Sequence, residues 1–489
     1  MGTINSAFSI ISGALDADQA ALGVVSNNVA NANTTGYTRE TPNWQENQPI
    51  DIGGVQSGTG VTETGATSVR DRVLLERLDQ QQQLASASST RLAALNTIEA
   101  LFTPDTGSTS SKAGDIGSDI TGFFSSFSSL EANPTNNALR QQVLSAASTL
   151  AGDLSSAAAS LGSQKAALDQ EASGVTSQVN ALTTSIAQLN LQIQSTSPNG
   201  DAGTLEDQRQ QDLSQLSQLI GINQVTTENN GLSITTTSGQ TLVSEGTAYQ
   251  LTTGMSGGVT HFYVGTTDVT KPLMSGGGQL GGYLQARDGD IPTTLTQLDQ
   301  LAFGISTEVN AQNALGTDLN GTSGGDLFSQ STQAEGSAAS MSVKMTDPNG
   351  IAAAASGSGS GDNANALAMA NLASSSDPPV LNGFTLPNGQ VLAVGQTLLN
   401  GKTPTNYYSM FVTTLGSTVS QVQTENTAQN ASVTQLQTQS NALSGVNLND
   451  EASAMMTIER SYQAASKVFT MLDTLMASAL NLGSQTTVS

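Results

Sequence analysis

The sequence INSAFSIISGALDADQAALGVVSNNV, residues 4–29, has apolar residues at alternating intervals of four and three. This heptad spacing places them on one face of an α-helix and is typical of a helix that packs against a second helix. The other faces carry Ala, Ser, Asn and Gln instead of the Glu and Lys usual on solvated helices. The spacing predicts a long helix with an apolar N-terminal seam of Ile4, Phe8, Ile11, Leu15, Leu22, Val25 and Val29, interrupted at Asp18.

The other end of the chain repeats this spacing, with a C-terminal seam of Met455, Ile458, Tyr462, Phe469, Leu472 and Met476. Two interpretations are open. The helices could pack on a core of the chain itself, or their small, uncharged outer faces could meet other subunits. The second interpretation predicts that alanines outside the seam, such as Ala17 and Ala21, gain little burial until neighbouring subunits cover them.

Heptad-spaced apolar residues also predict helices over 84–102, 168–193, 295–309 and 412–443. Alternation and Gly-rich turns predict β structure over 222–287, and Gly/Ser tracts with short apolar pieces predict loops and hairpins over 335–400. We expect an α+β fold, in which helices from both chain ends form a rod that carries β-rich outer domains inserted in the middle. The expected domains are 1–40 with 446–489 (terminal helices), 41–221 with 288–330 and 404–445 (helical), 222–287 (β-rich insertion) and 331–403 (outer β or loop insertion).

Composition excludes several classes of function. The 489 residues carry a net charge of −24 with no basic cluster, which excludes nucleic-acid binding. The chain has no Cys and one His, which excludes disulfides, thiolate sites and paired-histidine metal sites. No uninterrupted apolar run reaches the ~18 residues of a membrane span, so we expect no membrane segment. The first basic residue is Arg39, which does not fit a cleaved secretory signal.

The chemistry-bearing residues form no catalytic constellation, so we expect neither enzymatic activity nor a cofactor. The segment GGGQLGG at 276–282 lacks the Lys and Ser/Thr of a phosphate loop and is interpreted as turns. Oxygen ligands in 316–326 miss the EF-hand spacing, which favours an Asx-turn loop over a cation site. Acidic and basic residues over 70–79 predict a solvated helix with surface ion pairs. His261 lies in a predicted alternating strand and is interpreted as a surface or edge residue. The oxygen ligands are Asp318, Asn320 and Asp326, and the charged residues over 70–79 are Asp71, Glu76, Asp79, Arg70, Arg72 and Arg77.

A sequence motif follows the N-terminal seam directly. SNNVANANTTGYTR, residues 26–39, resembles the motif shared by flagellar axial proteins of the rod, hook and hook–filament junction. SGVNLNDEA at 444–452, followed by 460–476, resembles the matching C-terminal signature, although it leads into Met455 and Met456 where the family has a Gln-rich stretch. The motif positions are Asn27, Asn28, Ala30, Asn31, Thr35, Gly36 and Tyr37.

The middle of the chain narrows this resemblance to one family. Residues 219–251, 276–288 and 316–328 are similar to the family of the first hook-associated protein, whereas 335–400 matches no pattern of that family. The resemblance implies a structural ring of identical subunits between the hook protein and a second junction protein on the filament side. It also implies export through the flagellar apparatus without a cleaved signal, a chaperone on the C-terminal helix, and an extracellular location in the flagellum.

Other functions remain open at this point. A hook or rod protein would share both end motifs but not the matches in the middle. A secreted surface adhesin would use the β insertions as its working part, yet heptad seams at both termini favour incorporation into a tube. An enzyme would need hydrolase geometry within 335–400, where the sequence offers no nucleophile and base.

Overall fold

The computed structural model describes residues 2–52, 54–103, 115–196, 201–228 and 230–485, with backbone alone at 2–4, 52, 55 and 481–485. Long helices dominate it, and each predicted heptad segment lies within one. The helices are α1 (Gly2–Asn31), α2 (Arg72–Phe102), α3 (Ile116–Ala132), α4 (Asn137–Thr196), α5 (Thr204–Leu219), α6 (Thr270–Gly276), α7 (Gly278–Gln285), α8 (Ile291–Ala314), α9 (Ser337–Ser340), α10 (Ala364–Asn371), α11 (Pro404–Ser444) and α12 (Leu448–Gln485).

The strands form small antiparallel sheets, of which the largest has the order β5-β6-β7-β8 and the next β11-β10-β9. The strands are β1 (Glu40–Glu46), β2 (Ile50–Ile52), β3 (Val55–Ser57), β4 (Val61–Ser68), β5 (Ile222–Thr226), β6 (Leu232–Thr236), β7 (Thr241–Ser244), β8 (Thr247–Ala248), β9 (Leu251–Ser256), β10 (Val259–Val264), β11 (Thr267–Asp268), β12 (Gly316–Thr317) and β13 (Ala354–Ala355). Long helices at both ends with β structure between them confirm the α+β fold class.

Helix α4 spans the two main hydrophobic cores. Its 60 residues extend about 90 Å at 1.5 Å per residue. Apolar residues up to Leu168 pack with α2, α3, α8 and the first half of α11. From Ala172 to Ala187 they pack with α5, the sheets of β5–β10, and the helices α6 and α7. One continuous helix therefore fixes the β insertion to the helical body.

The 331–403 segment differs from the expected outer insertion. Only the two-residue strand β13 and isolated bridges give it β structure in the described residues. Ala338, Met341, Ile351 and Met369 are buried in the same core as α3, α4 and α8. The guanidinium of buried Arg140 on α4 donates to the Ile351 carbonyl oxygen, which ties the segment down further. The sequence did not indicate these contacts, because short apolar pieces between Gly/Ser tracts carry no period that shows where they pack.

Two further segments correct the expected organisation. Residues 41–68 fall in the span expected to be helical, yet residues 40–68 form a hairpin in which β1 pairs with β4 and β2 with β3. GGGQLGG, interpreted as turns, lies mostly in helix α7. A Cβ at Gly282 would lie 2.5 Å from the Ala87 carbonyl oxygen, and one at Gly278 (φ +72°) 2.4 Å from the Ile220 nitrogen. These glycines let α7 pack against α2 and the end of α5 at backbone distance.

Helix α1 also departs from the expectation of no membrane segment. Its residues 5–31 are long and apolar enough to cross a membrane, with a mean hydropathy of 1.2. Ala and Val between the seam positions raise the mean without forming an uninterrupted apolar run. In the structure this helix packs against α12 and against the hairpin, and Asp16 and Asp18 lie within it.

Met369→Ala tests whether the 331–403 segment belongs to the main core. Met369 is fully buried, so we expect a loss of about 2–5 kcal/mol in the free energy of unfolding. Urea unfolding followed by far-ultraviolet circular dichroism measures this, and the long helices should melt in the destabilised transition. Leu367→Ala on the same helix, at an exposed position, should stay within about 0.5 kcal/mol of the wild type. A separate early transition that leaves the helices intact would contradict the shared core.

Candidate assembly site

The two chain ends come together in a layered unit, here called the terminal module: α1, the β1–β4 hairpin (residues 40–68) and α12. On one side of α1, Phe8 meets Phe469 of α12 edge to face, with ring centroids 4.7 Å apart. On another side, a Cβ at Gly13 would lie 3.0 Å from the Val61 carbonyl oxygen of β4, and Gly60 approaches the Ile10 backbone. At 100° per residue, these two sides of α1 are nearly opposite. Helix α1 is therefore sandwiched between the hairpin and α12.

The predicted seams of α1 and α12 meet at Phe8 and Phe469. The described seam residues other than Val25, Val29 and Tyr462 are half-buried; Val25 is buried, and Val29 and Tyr462 are exposed. The Ile4 side chain lies outside the described residues. The partial burial matches a contact between two helices that lack a third on this side.

The alanines expected to stay exposed in a single chain are not exposed. Ala17 is 3% and Ala21 0% exposed. Both follow Gly13 at intervals of four residues, which puts them on the hairpin side of α1. The expectation was wrong because the hairpin, absent from the predicted organisation, occupies that side.

Asn28 of the axial motif connects both chain ends. Its buried carboxamide donates to the Glu40 carbonyl oxygen (2.8 Å) and to Glu451 Oε2 on α12 (3.0 Å). Its Oδ1 accepts from the Tyr37 hydroxyl (2.9 Å) and from the Glu40 N–H (3.0 Å). Arg39 Nε donates to Glu451 Oε1 at 2.6 Å, and the Arg39 N–H donates to the Ser444 carbonyl oxygen. Asn28 and Arg39 of the motif thus donate hydrogen bonds to the fully buried carboxylate of Glu451 at the other end of the chain.

Burial raises the pKa of Tyr37 to about 12, with Glu40, Asp207 and Glu451 adding to the effect. The phenol therefore remains a hydrogen-bond donor to Asn28 across the physiological pH range.

The remaining motif residues do not join this network. Asn27, Ala30, Thr35 and Gly36 are exposed. Asn31 donates to the side chain and carbonyl of Asn27 one turn earlier. Gly36 has φ +82°, which allows the chain to turn between Asn31 and Tyr37. These positions shape the end of α1 and the turn that follows it.

A second group of residues fixes the terminal module to the helical body. Thr38 donates its N–H (2.9 Å) and its hydroxyl (2.6 Å) to Asp207 of α5. Buried Arg70 pairs with Glu206 and Asp207, and Arg72 Nη2 lies 3.0 Å from Glu206 Oε2. Sequence analysis placed Arg70 among solvated surface pairs; that was wrong because its partners come from α5, more than 130 residues away.

Asp79 is the second correction in this region. It was expected on a solvated face but is buried between α2 and α5, where Gln210 Nε2 (3.0 Å) and Gln224 Nε2 (2.8 Å) donate to Oδ2. Burial raises the pKa of Asp79 to about 6, and the two amide donors offset only part of this effect. Asp71 caps α2 by accepting from the Leu74 N–H, and Glu76 accepts from Gln80.

The other chemistry-bearing candidates have structural partners. His261 Nδ1 lies 2.7 Å from Asp268 Oδ2 on the neighbouring strand. Asp318 Oδ1 accepts from the backbone N–H groups of Asn320 and Thr322, which is the predicted Asx-turn loop. Asp326 pairs instead with Lys344 at 2.8 Å. Within the described residues, no three His, Cys, Asp or Glu side chains are grouped to hold a metal.

Sequence reasoning identified Asn28 and Tyr37 but missed their partners. Arg39 and Glu451 each lie inside a quoted signature, which is a signal that charged residues matter there. Nothing in one sequence pairs them across 412 residues. Thr38 lies inside the quoted motif but was not singled out, and Asp207 and Arg70 carry no periodic or motif signal.

Asn28→Ala should loosen the terminal module, because it leaves buried Glu451 without one of its two donors and removes the Tyr37 contact. Each buried polar group left unpaired costs about 1–3 kcal/mol. Amide hydrogen exchange should accelerate in α12 around Glu451 and in α1. The matched control Asn31→Ala removes an exposed amide on the same helix and should leave exchange in α12 unchanged. Equal protection in both variants would show that the network does not join the two ends.

The titration of Asp79 gives a pH prediction. Because its native pKa lies above the ordinary value, the folded chain binds this proton more tightly than the unfolded chain. The stabilising contribution is therefore full below about pH 4 and is lost as pH rises through about 6. From pH 4 to 7, Asp79→Asn should gain roughly 2–3 kcal/mol of unfolding free energy relative to wild type. Urea unfolding of both proteins at each pH measures the gain.

Models of flagellar protein families match three segments of the chain. Residues 95–328 match the model of the flagellar hook-associated protein FlgK helical domain. Residues 10–38 match the flagella basal body rod protein model, and 437–482 the C-terminal model of the flagellar basal body rod FlgEFG proteins. The two end matches contain Asn28 and Glu451, which the structure brings into contact.

Similar whole proteins carry the same description. The chain is 26% identical to flagellar hook-associated protein 1 of Escherichia coli, over 96% of this chain and 98% of that protein. It is also 26% identical to flagellar hook-associated protein 1 of Bacillus subtilis, over 96% of each. The solved structure of the flagellar hook junction protein FlgK from Burkholderia pseudomallei shares the fold, with a TM-score of 0.62 and 20% identity over 76% of this chain and all of that one. Along nearly its whole length the chain is therefore similar to flagellar hook-associated protein 1.

Proposed function

We propose that this chain is a structural subunit of the junction between the flagellar hook and filament, incorporated through its terminal module. One observation carries the proposal: the face of α12 turned away from α1 exposes large apolar side chains. Such a contiguous exposed stripe is typical of an interaction surface rather than of a monomer. At 100° per residue, the exposed apolar residues on this face are Met456, Val468, Met471 and Leu475.

The role of the predicted seam residues follows from their positions. Phe8 and Phe469 hold α1 and α12 together, so we infer that the seams build the assembling unit rather than contact other subunits. We propose the terminal module as the assembling domain and the rest of the chain as a body held outside it. The seams would then act in every subunit of a ring of identical copies.

The junction role is favoured over the other axial positions by the central match. Rod family models match only the two ends, whereas residues 95–328 match the hook-associated helical domain. Matching ends support a mode of assembly shared with rod and hook proteins. The neighbours of the ring would be the hook protein on one side and the second junction protein on the filament side.

We further infer that the chain has no enzymatic activity and works outside the cell. As a flagellar protein it lies in the flagellum; export through the flagellar apparatus would carry it there. The exposed apolar residues of α12 support a chaperone that covers this helix before assembly, because an uncovered stripe favours aggregation.

Phe469→Asp tests the assembling role of the terminal module. A carboxylate opposite Phe8 removes an aromatic contact and places an unpaired charge between the helices, which costs several kcal/mol. In a strain that lacks its own hook-associated protein 1, wild-type chain should restore filaments and Phe469→Asp should leave hooks without filaments, as seen by electron microscopy. The control Val394→Asp, at a highly exposed position outside the module, should restore filaments fully. Filaments on cells carrying Phe469→Asp would overturn the proposed role.

A further inference from the structure

One face of α12 combines apolar and basic side chains. Met456, Arg460, Lys467, Met471 and Leu475 follow one another at helical spacing, with Ala464 between the two cations. Met456, Met471 and Leu475 are 53%, 62% and 59% exposed, and both cations are exposed. At 100° per residue this face lies opposite the seam that contacts α1. We call it the basic stripe.

The two cations of the basic stripe are unpaired. Neither Arg460 nor Lys467 has an ion-pair partner within the described part of the chain, although most arginines here do. The acidic residues of the same helix segment, Glu459 and Asp473, point more than about 100° away from the centre of the stripe. In a chain with 15 basic residues and a net charge of −24, two unpaired cations on one apolar face favour an acidic, apolar partner.

The β1–β4 hairpin has the complementary composition. Residues 40–68 contain four acidic residues and no basic residue. The one tryptophan of the chain, Trp44 on β1, is 51% exposed, and Ile50 on β2 is exposed as well. Glu46 and Asp51 lie next to them along the hairpin and are also exposed. An exposed indole beside carboxylates suits a helix that presents both methionines and cations, because cations also bind the face of an aromatic ring.

The basic stripe and the hairpin cannot meet within one chain, since α1 separates the hairpin from α12 and the stripe faces away from α1. They can meet between two copies. A contact of one surface with a different surface of the next copy is heterologous, and repetition of such a contact generates a ring or a helix.

We propose that the basic stripe of one subunit docks on the Trp44–Ile50 hairpin of a neighbouring copy of the same chain. This proposal rests on the proposed function, since it names the surfaces through which the terminal modules meet in the ring. Lys467 and Arg460 face Glu46 and Asp51 of the neighbour, while Met471 and Leu475 cover the indole of Trp44.

Site-specific crosslinking in assembled flagella tests the contact directly, because the chain has no cysteine of its own. Gln45→Cys, beside Trp44, and Ala464→Cys, within the stripe, are made in separate copies and co-expressed in the strain that lacks hook-associated protein 1. A short bis-maleimide should then give a dimer that contains one copy of each variant. Gln45→Cys co-expressed with Val394→Cys is the control and should give none.

Absence of the dimer from flagella that carry filaments would overturn the docking. If wild-type chain itself fails to restore filaments in that strain, the proposed function fails instead, so the two failures are distinguishable.

Charge exchange provides a second test that does not depend on the cysteine variants. Lys467→Glu and Glu46→Lys alone should each reduce filament-bearing hooks at least tenfold, and the two together should restore most of them. Lys271→Glu, an exposed reversal outside the terminal module, should have no effect. Circular dichroism of the purified chains checks that each variant is folded. Wild-type filament numbers in both single variants, or no recovery in the double variant, would overturn the proposal.

Discussion

The fold depends on one buried contact, between the carboxamide of Asn28 and the carboxylate of Glu451. The two residues are 423 positions apart, and the carboxylate is removed from water. A buried carboxylate is tolerated only when donors surround it, so Glu451 requires both Asn28 and Arg39. This requirement fixes α12 on α1, sets the turn through Tyr37, and directs the chain into β1. The seams add apolar area to a geometry that the polar contact specifies.

Buried arginines play the same part at the other joints of the molecule. Arg70 fixes the start of α2 to α5, and fully buried Arg287 joins Asp169 of α4, Asp288 and the Thr260 carbonyl oxygen of β10. Arg140 holds the backbone at Pro134 and Ile351. Each guanidinium joins segments far apart in sequence through several directed donors, which apolar contact alone does not provide. The terminal module, the β insertion and the 331–403 segment therefore have defined positions on one body.

Sequence alone predicted the parts of this structure that have a period. Every heptad segment is a helix, the seams of α1 and α12 meet at Phe8 and Phe469, and the motif marked Asn28 and Tyr37. The hairpin of residues 40–68 was not predicted, because Gly, Thr and Pro interrupt the alternation of apolar and polar residues. Without the hairpin, the burial of Ala17 and Ala21 could not be predicted either. The burial of Asp79 and Arg70 was not predicted, because burial of a charge depends on partners from distant helices. GGGQLGG was misread since glycine permits both a turn and a close helix contact.

The low charge of the chain gives its cations a specific meaning. Charged residues make up 11% of the sequence, and outer helix faces are covered instead by Ser, Thr, Asn and Gln. On α11, hydroxyls bond back to carbonyls one turn earlier, while Asn426 and Gln429 bond to Ser88 of α2. Such faces are wet but weakly repulsive, so many copies can approach one another despite a net charge of −24 each. On a surface with so few charges, an ion pair or an exposed apolar stripe marks a position where a contact is specific. These positions are the joints inside the chain and the outer face of α12.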